Sequence, residues 1–425
     1  MLPCIYRFKL EVLHMIVRKI YSNEFMETRN ISSLCFHWSH DTQGVTPEEY
    51  FEREMSEPLT EHSAYWVNTW ASFTEDNEMM GCLSIKDFDV EFDGHSYKMG
   101  GIAGVCTYPQ FRRQGVIREI FKKAIPDLYE KGYTFSYLYA FSEAFYRRYG
   151  YEPTCYSKGW TFQMHTIPTT LYDGTFSLYR KEDDLKDFEL AYERFASQYN
   201  MCVHRCEYDW RAVKDANPFK GEKSAFLYRN KDGNPTGYLV FQKIEEEGVR
   251  IFHCNELIFD CFDTLKALLS FAKSFQSDYD VVRFRAPGNL DLRYFCTDYS
   301  QSKSKIEEFQ NGMARVVNVK KALEGAKYKG NGKVKIRIQD MIINENTKDY
   351  SIEFVDNRCS SIQENPINTS ESVDISMSIN QFSAAILGMY DVAAFEYMDF
   401  TECYTNIEEL KKIFYKKGCW IHNFF

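Results

Sequence analysis

No CxxC pair occurs among the 13 cysteines of this 425-residue chain, and their odd number, scattered from Cys4 to Cys419, does not suit a disulfide framework. Reduced thiols in a cytoplasmic protein are the expectation. No apolar run approaches the ~20 residues of a membrane span, so no membrane partner is expected. The opening MLPCIYRFKLEVLH is basic and partly apolar, but Arg7, Lys9 and Glu11 interrupt it and no A-x-A site follows, which argues against a secretory leader. Met15 is an alternative start. Positive charge is in deficit, 51 Lys and Arg against 61 Asp and Glu, and the net charge of −10 argues against a general nucleic-acid binder and is compatible with cationic substrates. Cys202, His204 and Cys206 have no second ligand pair, so they read as ordinary thiols and a histidine, and no metal is expected. The sequons at Asn30 and Asn368 mean little in a protein that is not secreted.

Aromatic residues, by contrast, are plentiful: 30 Tyr and 34 Phe suggest aromatic-rich cores and aromatic-walled pockets. At roughly 150 residues per domain, two or three domains are expected. A strand at Ile16–Lys19, a helix over Glu24–Phe36 and an acidic helix over Glu48–Met55 open the chain. Strands follow at Ala64–Phe73, Glu78–Ile85 and Lys98–Thr107, the last two separated by the turn pair Asp93-Gly94.

Next stands GGIAGVCTYPQFRRQG, leading into a helix whose apolar positions are 116, 117, 120, 121, 124 and 125. A glycine at a helix entry lets a ligand approach the backbone, and first-turn N–H groups without intrahelical partners bind anions, with Arg112 and Arg113 adding charge. An ordinary strand–loop–helix junction with two solvated arginines is the competing reading. An aromatic strand over Thr134–Ala140 and a short helix over Ser142–Tyr149, stopped by Gly150, come next.

This order resembles the GCN5-related acetyltransferases, whose cofactor motif Q/R-x-x-G-x-G/A is approximated by Arg112-Arg113-Gln114-Gly115-Val116-Ile117, with Ile117 departing at the last small position. GVCTYPQFRRQG together with FYRRYGYEP is similar, more narrowly, to the enhanced intracellular survival (Eis) family, which shares RRxG followed by two aliphatic residues and a Y-x-R-x-G-Y pattern matched by Tyr146, Arg148, Gly150 and Tyr151.

The rest of the chain is read against that resemblance. A helix-rich opening from Lys186, strands at Ser224–Arg229, Gly237–Gln242 and Val249–Phe259, a helix at Phe262–Ser274 and a strand at Val281–Arg285 repeat the earlier order without an RxxG. MARVVNVKKAL (313–323) resembles the family's junction into a domain of the sterol carrier protein 2 type, with a helix start credible from Val319, Ala322 and Leu323. Strands at Lys335–Ile342, Tyr350–Val355 and Asp374–Ile379 and a helix at Gln381–Gly388 follow, while Lys329-Gly330-Asn331-Gly332 is a turn before a strand. The expected fold is mixed α+β: tandem GNAT folds, the second degenerate, then an SCP2-like α+β domain. Expected boundaries are an N-terminal extension (1–14), a catalytic GNAT domain (15–165), a degenerate GNAT-like domain (166–308) and the SCP2-like domain (309–425).

The resemblance implies an acetyl-CoA-dependent N-acetyltransferase acting on primary amines of cationic small molecules such as aminoglycosides or polyamines, or on lysine side chains. It also implies a homo-oligomer, often a hexamer. Such chemistry needs a base, because an alkylammonium of pKa ~10.4 must lose a proton before attack, and an acid for a departing thiolate whose thiol has pKa ~8.5. The family's acid carries over to Tyr146, a phenol that stays protonated at neutral pH, and its base to the C-terminal carboxylate of Phe425. A terminus of pKa ~3.3 is a weak base unless burial among Trp420, Phe424 and Phe425 raises it. A frayed tail is the alternative, which the apolar Trp-Ile-His-Asn-Phe-Phe ending disfavours. Cofactor positions carried over are Val105, Thr107, Arg112, Arg113, Gly115 and Val116, and the acceptor pocket is placed around Phe36-His37-Trp38 and Asp41. The alternative function is a non-catalytic lipid- or apolar-ligand-binding protein with a vestigial acetyltransferase domain.

Overall fold

The computed structural model describes residues 15–37, 39–56, 63–221, 223–298, 300, 304–395 and 402–425. The expected 1–14 extension and Trp38 lie outside them. The chain opens with β1 (Ile16–Lys19), α1 (Phe25–Phe36), α2 (Pro47–Ser56), β2 (Thr69–Phe73), β3 (Met79–Phe92) and β4 (His95–Thr107). It continues through α3 (Val116–Glu130), β5 (Phe135–Leu138), α4 (Glu143–Arg147), β6 (Glu152–Pro153) and β7 (Tyr156–Gln163). The middle holds β8 (Thr175–Leu178), α5 (Lys186–Ala196), α6 (Arg211–Lys214), β9 (Ser224–Arg229), β10 (Pro235–Glu246), β11 (Val249–Phe259), α7 (Phe262–Lys273), β12 (Val281–Pro287) and β13 (Ser304–Gln310). The last third holds β14 (Met313–Val316), α8 (Val319–Gly325), β15 (Gly332–Gln339), β16 (Lys348–Val355), β17 (Arg358–Asn365), β18 (Ile375–Ser378), α9 (Ile379–Ile386) and β19 (Glu402–Tyr404).

Local chemistry accounts for most of these elements. The β3–β4 hairpin turns at Asp93 and Gly94, both at positive φ (+51° and +94°), as a two-residue hairpin turn requires. In α3 the buried face is Val116, Ile120, Phe121, Ala124, Ile125 and Leu128, the amphipathic stripe read from the sequence. Asn318 caps α8 by accepting from the Lys321 N–H, and Ser378 with Gln381 forms a capping box on α9. The strand expected from Ala64 begins only at Thr69, because residues 63–68 wind into a 3₁₀ turn. β17, absent from the sequence reading, pairs with β16 across a turn at Asp356 and Asn357, whose side-chain type tolerates positive φ.

Three sheets result, ordered β1-β2-β3-β4-β5-β14-β6, β13-β7-β12-β11-β10-β9-β8 and β17-β16-β15-β18-β19. The first two exchange strands. β7 leaves the first sheet and pairs with β12 and β13, Trp160 standing opposite both Phe284 and Ile306. β14 returns between β5 and β6, with Met313 opposite Leu138 and Pro153. Met313–Val316, expected only as the lead into a helix, is therefore a fully buried strand of the first sheet. One face of that sheet packs on α3 through Leu83, Ile102, Ile120, Phe121 and Leu138. The other packs Phe88, Val90, Phe92, Phe135 and Tyr137 on Val334, Ile336, Phe354 and Phe382 of the last third, so the first and third parts share one core.

Candidate active site

β4 and β5 run parallel from Met99↔Phe135 to Ile102↔Leu138, where their pairing ends. β4 continues to Thr107 against β3 alone, and a register shift lies between Cys82 and Ser84 opposite it. The strands thus part in a wedge, leaving β4 backbone groups to pair with a ligand. After β4, Pro109–Phe111 form a short 3₁₀ turn, Arg113 lies at φ +63° and Gly115 at φ +86° as the cap before α3. At that φ a side chain is strained, which is why a glycine stands there, and the Arg118 guanidinium lies over it. The first-turn N–H groups of α3 have no intrahelical partners, and such groups at the positive end of a helix suit an anion.

A cleft of about 920 Å³ opens at this point, and all six cofactor positions named from the sequence line it: Val105, Thr107, Arg112, Arg113, Gly115 and Val116. Arg118, Lys122 and Arg148 bring the cations on its wall to five, while Phe111, Ile117, Phe141 and Phe145 supply apolar surface. Arg118 and Lys122 share Glu119 at 2.9 and 3.0 Å, which leaves the wall net positive. A long ligand with phosphates at one end and an apolar arm fits this chemistry. Two linings have no counterpart in the sequence reading. Cys35 donates to the Thr107 carbonyl at 3.5 Å, and its hydrogen bond with Cys106, reinforced by burial, pushes its thiol up, so it is a neutral wall rather than a nucleophile. Met341 and Ile342 arrive from beyond β15, a proximity that sequence separation hides.

Tyr146 sits in α4, 2% exposed, with its ring packed on Phe141 (5.4 Å), Phe145 (5.1 Å) and Phe121 (6.2 Å). Burial pushes its phenol well above the ordinary value, helped by Tyr151 and Tyr149, and the hydroxyl makes no hydrogen bond among the described residues. A phenol so placed holds its proton throughout the neutral range. Tyr151 bonds Ser136 at 2.7 Å, and Tyr149 stacks on Phe121 at 4.2 Å, so the three tyrosines of this turn have different surroundings.

The chain end reaches the same sheet. Gly418 and Trp420 pair with Asn200, the Asn311 amide donates to the Ile421 carbonyl at 2.6 Å, and the Tyr139 hydroxyl donates to the Asn423 carbonyl at 2.7 Å. Asn423 in turn donates to Asp209 at 2.7 Å. Phe425 packs on Phe88 (4.8 Å) and Tyr139 (5.4 Å), and a side chain on Gly101 would collide with its ring. Gly101 pairs with Tyr137 one residue before the β4–β5 wedge opens, so the terminal residue lies beside the wedge while Phe424 stays exposed. Of the expected acceptor residues, Phe36 lines the cleft, whereas His37 is the left-handed residue ending α1 and Asp41 is an exposed loop residue whose carbonyl accepts from Arg53. Cys202 is buried against the Tyr192 hydroxyl at 3.4 Å and His204 bonds Glu193 at 3.1 Å. In the second sheet the connection from β11 to α7 is only Asp260-Cys261, with no glycine turn to hold a phosphate.

The Acetyltransferase (GNAT) domain family matches residues 16–154, a second Acetyltransferase (GNAT) domain family matches residues 202–316, and the Sterol carrier protein domain family matches residues 319–421. The expected order of tandem GNAT folds and an SCP2-like domain is borne out. Among solved structures, a GCN5-related N-acetyltransferase from Anabaena variabilis is similar with a TM-score of 0.81 at 17% identity, covering 97% of this chain and 100% of that one. A probable N-acyltransferase from Enterococcus faecalis gives 0.77 at 20% identity over 95% and 97% of the two chains. Eis1 from Mycobacterium abscessus gives 0.77 at 16% identity over 97% and 100%. No curated protein matches the sequence. Two acetyltransferase (GNAT) domains followed by a sterol carrier protein domain account for the fold, and they support an acetyltransferase as the activity of this chain.

Proposed function

We propose that the chain is an Eis-type N-acetyltransferase that moves the acetyl group of acetyl-CoA to primary amines of cationic small molecules, aminoglycosides or polyamines, or to lysine side chains. The cleft that joins Val105–Thr107, the Arg112–Val116 turn and the tyrosine helix carries this reading. GNAT domains use acetyl-CoA, and the helix entry at Gly115 with its surrounding cations fits a pyrophosphate. Bound there, acetyl-CoA supplies an activated thioester. The β4 edge at Val105 and Thr107 would pair with its amide arm, and Arg112, Arg113 and the backbone amides of Gly115 and Val116 would hold its phosphates. The carboxylate of Phe425 takes the proton from the amine nitrogen, directly or through water. Tyr146 gives its hydroxyl proton to the departing sulfur. The Tyr146 phenol, kept protonated at neutral pH and set in the helix beside the cleft residue Phe145, is placed to hydrogen-bond the departing sulfur, and the bonded tail that brings Phe425 beside the wedge supports the first role.

A homo-oligomer, a hexamer by resemblance, and a cytoplasmic location belong to the same reading. Free cysteines among the described residues are consistent with it, and no described helix is long and apolar enough to cross a membrane. The test is a panel of polyamines, aminoglycosides and lysine peptides incubated with purified protein and acetyl-CoA, scored by released thiol and product mass. Acetylation of cationic amines is the expected result. No turnover, together with no rise in melting temperature at a cofactor concentration ~100 times Kd, where ~2.7 kcal/mol is expected, would overturn it.

A further inference from the structure

The turn that ends the tyrosine helix is held from the other end of the chain. α4 has five residues, too few to fix its own orientation. One carbonyl at its last residue and two in the segment that follows accept hydrogen bonds from side chains beyond position 313. Asn380 Nδ2 donates to the carbonyl of Arg147 at 2.9 Å and to that of Tyr151 at 3.0 Å. Between them Arg315 Nη1 donates to the Tyr149 carbonyl. Arg315 is itself fixed by Asp340 at 2.5 and 2.7 Å, and the Asp340 carboxylate also accepts from Ile342 N, Ile343 N and Asn346 Nδ2 at 2.9 to 3.1 Å. Gly150, at φ +86°, lies so close to Arg315 and Ile379 that any Cβ there would collide with both.

Two features separate Asn380 from ordinary packing. It is the second residue of α9, whose capping box belongs to Ser378 and Gln381, so its side chain is not needed to start its own helix. Its one amide group bridges the carbonyls on either side of Gly150, the bend that sets the direction of α4 relative to β6. Removing it leaves both carbonyls to other donors and frees the bend, without opening a cavity in the core.

We infer that Asn380, supported by the Arg315–Asp340 pair, is a positioning residue through which the sterol carrier protein domain sets the Tyr146 hydroxyl for acetyl transfer. This rests on Tyr146 acting as the acid. The domain matched at 319–421 is then a working part of the first domain's site, consistent with Met341 and Ile342 lining the cofactor cleft.

The experiment compares full-length wild type, Asn380→Ala, Tyr146→Phe and the double variant, with acetyl-CoA varied at saturating spermine, or the amine of the panel that turns over fastest. Asn380→Ala should lower kcat about 10-fold through a small misplacement of the acid, while KM for acetyl-CoA stays within about 2-fold. The double variant should be no slower than Tyr146→Phe, because the clamp acts through that hydroxyl. Unchanged kcat in Asn380→Ala, or losses that multiply in the double variant, overturn the inference while leaving Tyr146 as the acid. Full turnover by Tyr146→Phe alone overturns the reading of Tyr146 and the clamp with it. If Asn380→Ala shows no folded melting transition, Asn380→Asp, which keeps the shape and removes the donor, is read by the same criteria.

Discussion

Tyr146→Phe is the substitution expected to lower activity while leaving stability nearly unchanged. General acid catalysis contributes roughly 10²- to 10⁴-fold, so kcat should fall at least about 100-fold, or ~2.7 kcal/mol at 1.36 kcal/mol per decade. The stability side follows from the structure. The hydroxyl has no hydrogen-bond partner among the described residues, so none is orphaned when it is removed, and its ring contacts with Phe121, Phe141 and Phe145 survive. Tyr146 Oη is not among the fully buried polar atoms left without a partner, so its removal relieves no buried penalty and the variant should stay within about 1 kcal/mol of wild type. Steady-state kinetics and thermal unfolding with and without acetyl-CoA read the two effects. A pH profile adds a third. Burial, then Tyr151 and Tyr149, push the phenol up, so the wild type should show no loss of kcat from deprotonation of this group between neutrality and its ordinary value of 10.0. Lower stability with full turnover would refute the reasoning, as would a basic limb below that value that disappears in Tyr146→Phe.

Appending Gly-Ser after Phe425 turns its carboxylate into a neutral amide. The extended chain should keep its melting temperature and lose turnover, and normal kinetics would remove the carboxylate as base. Arg315→Met leaves Asp340 buried without its partner and should cost about 3–5 kcal/mol in denaturant unfolding. A loss under ~1 kcal/mol would show that the pair does not anchor the turn. His204 has its pKa raised from 6.5, first by the hydrogen bond to Glu193, against opposing burial, and then by the charges of Glu193 and Glu91. A raised folded pKa means that its contribution is full below the unfolded value and is lost as pH rises through the folded one. His204→Gln should therefore destabilise the protein at pH 5.5, about a unit below the reference value, and leave it nearly unchanged at pH 8.5. Equal effects at both pH values would contradict the assignment.

Features carried by neighbouring residues were legible without coordinates. The amphipathic stripe of α3, the glycine at its entry, the Asp93-Gly94 hairpin and the five strands and helices repeated in the middle third all follow from side-chain periodicity and from backbone angles that few residue types adopt. The six expected cofactor positions came instead from the family resemblance, and they line one cleft because they lie on one strand, one turn and one helix start. The acceptor residues were less legible, because Phe36 and Asp41 stand close in sequence and only Phe36 reaches the cleft.

The amino-acid sequence by itself determined the stretch from Met99 to Pro153: a strand, a glycine-bearing turn, a helix and a tyrosine turn, each specified by residues within a few positions of one another. Tertiary structure alone decided what completes it. The exchange of β7 and β14 between sheets, the packing of Phe425 beside the wedge, the arrival of Met341 at the cleft and the hold of Arg315 and Asn380 on the turn join residues far apart along the chain. A buried strand such as Met313–Val316 reads the same whichever sheet receives it. Its partner is chosen by which hydrophobic face and which unpaired strand edge remain open once the rest of the chain has folded.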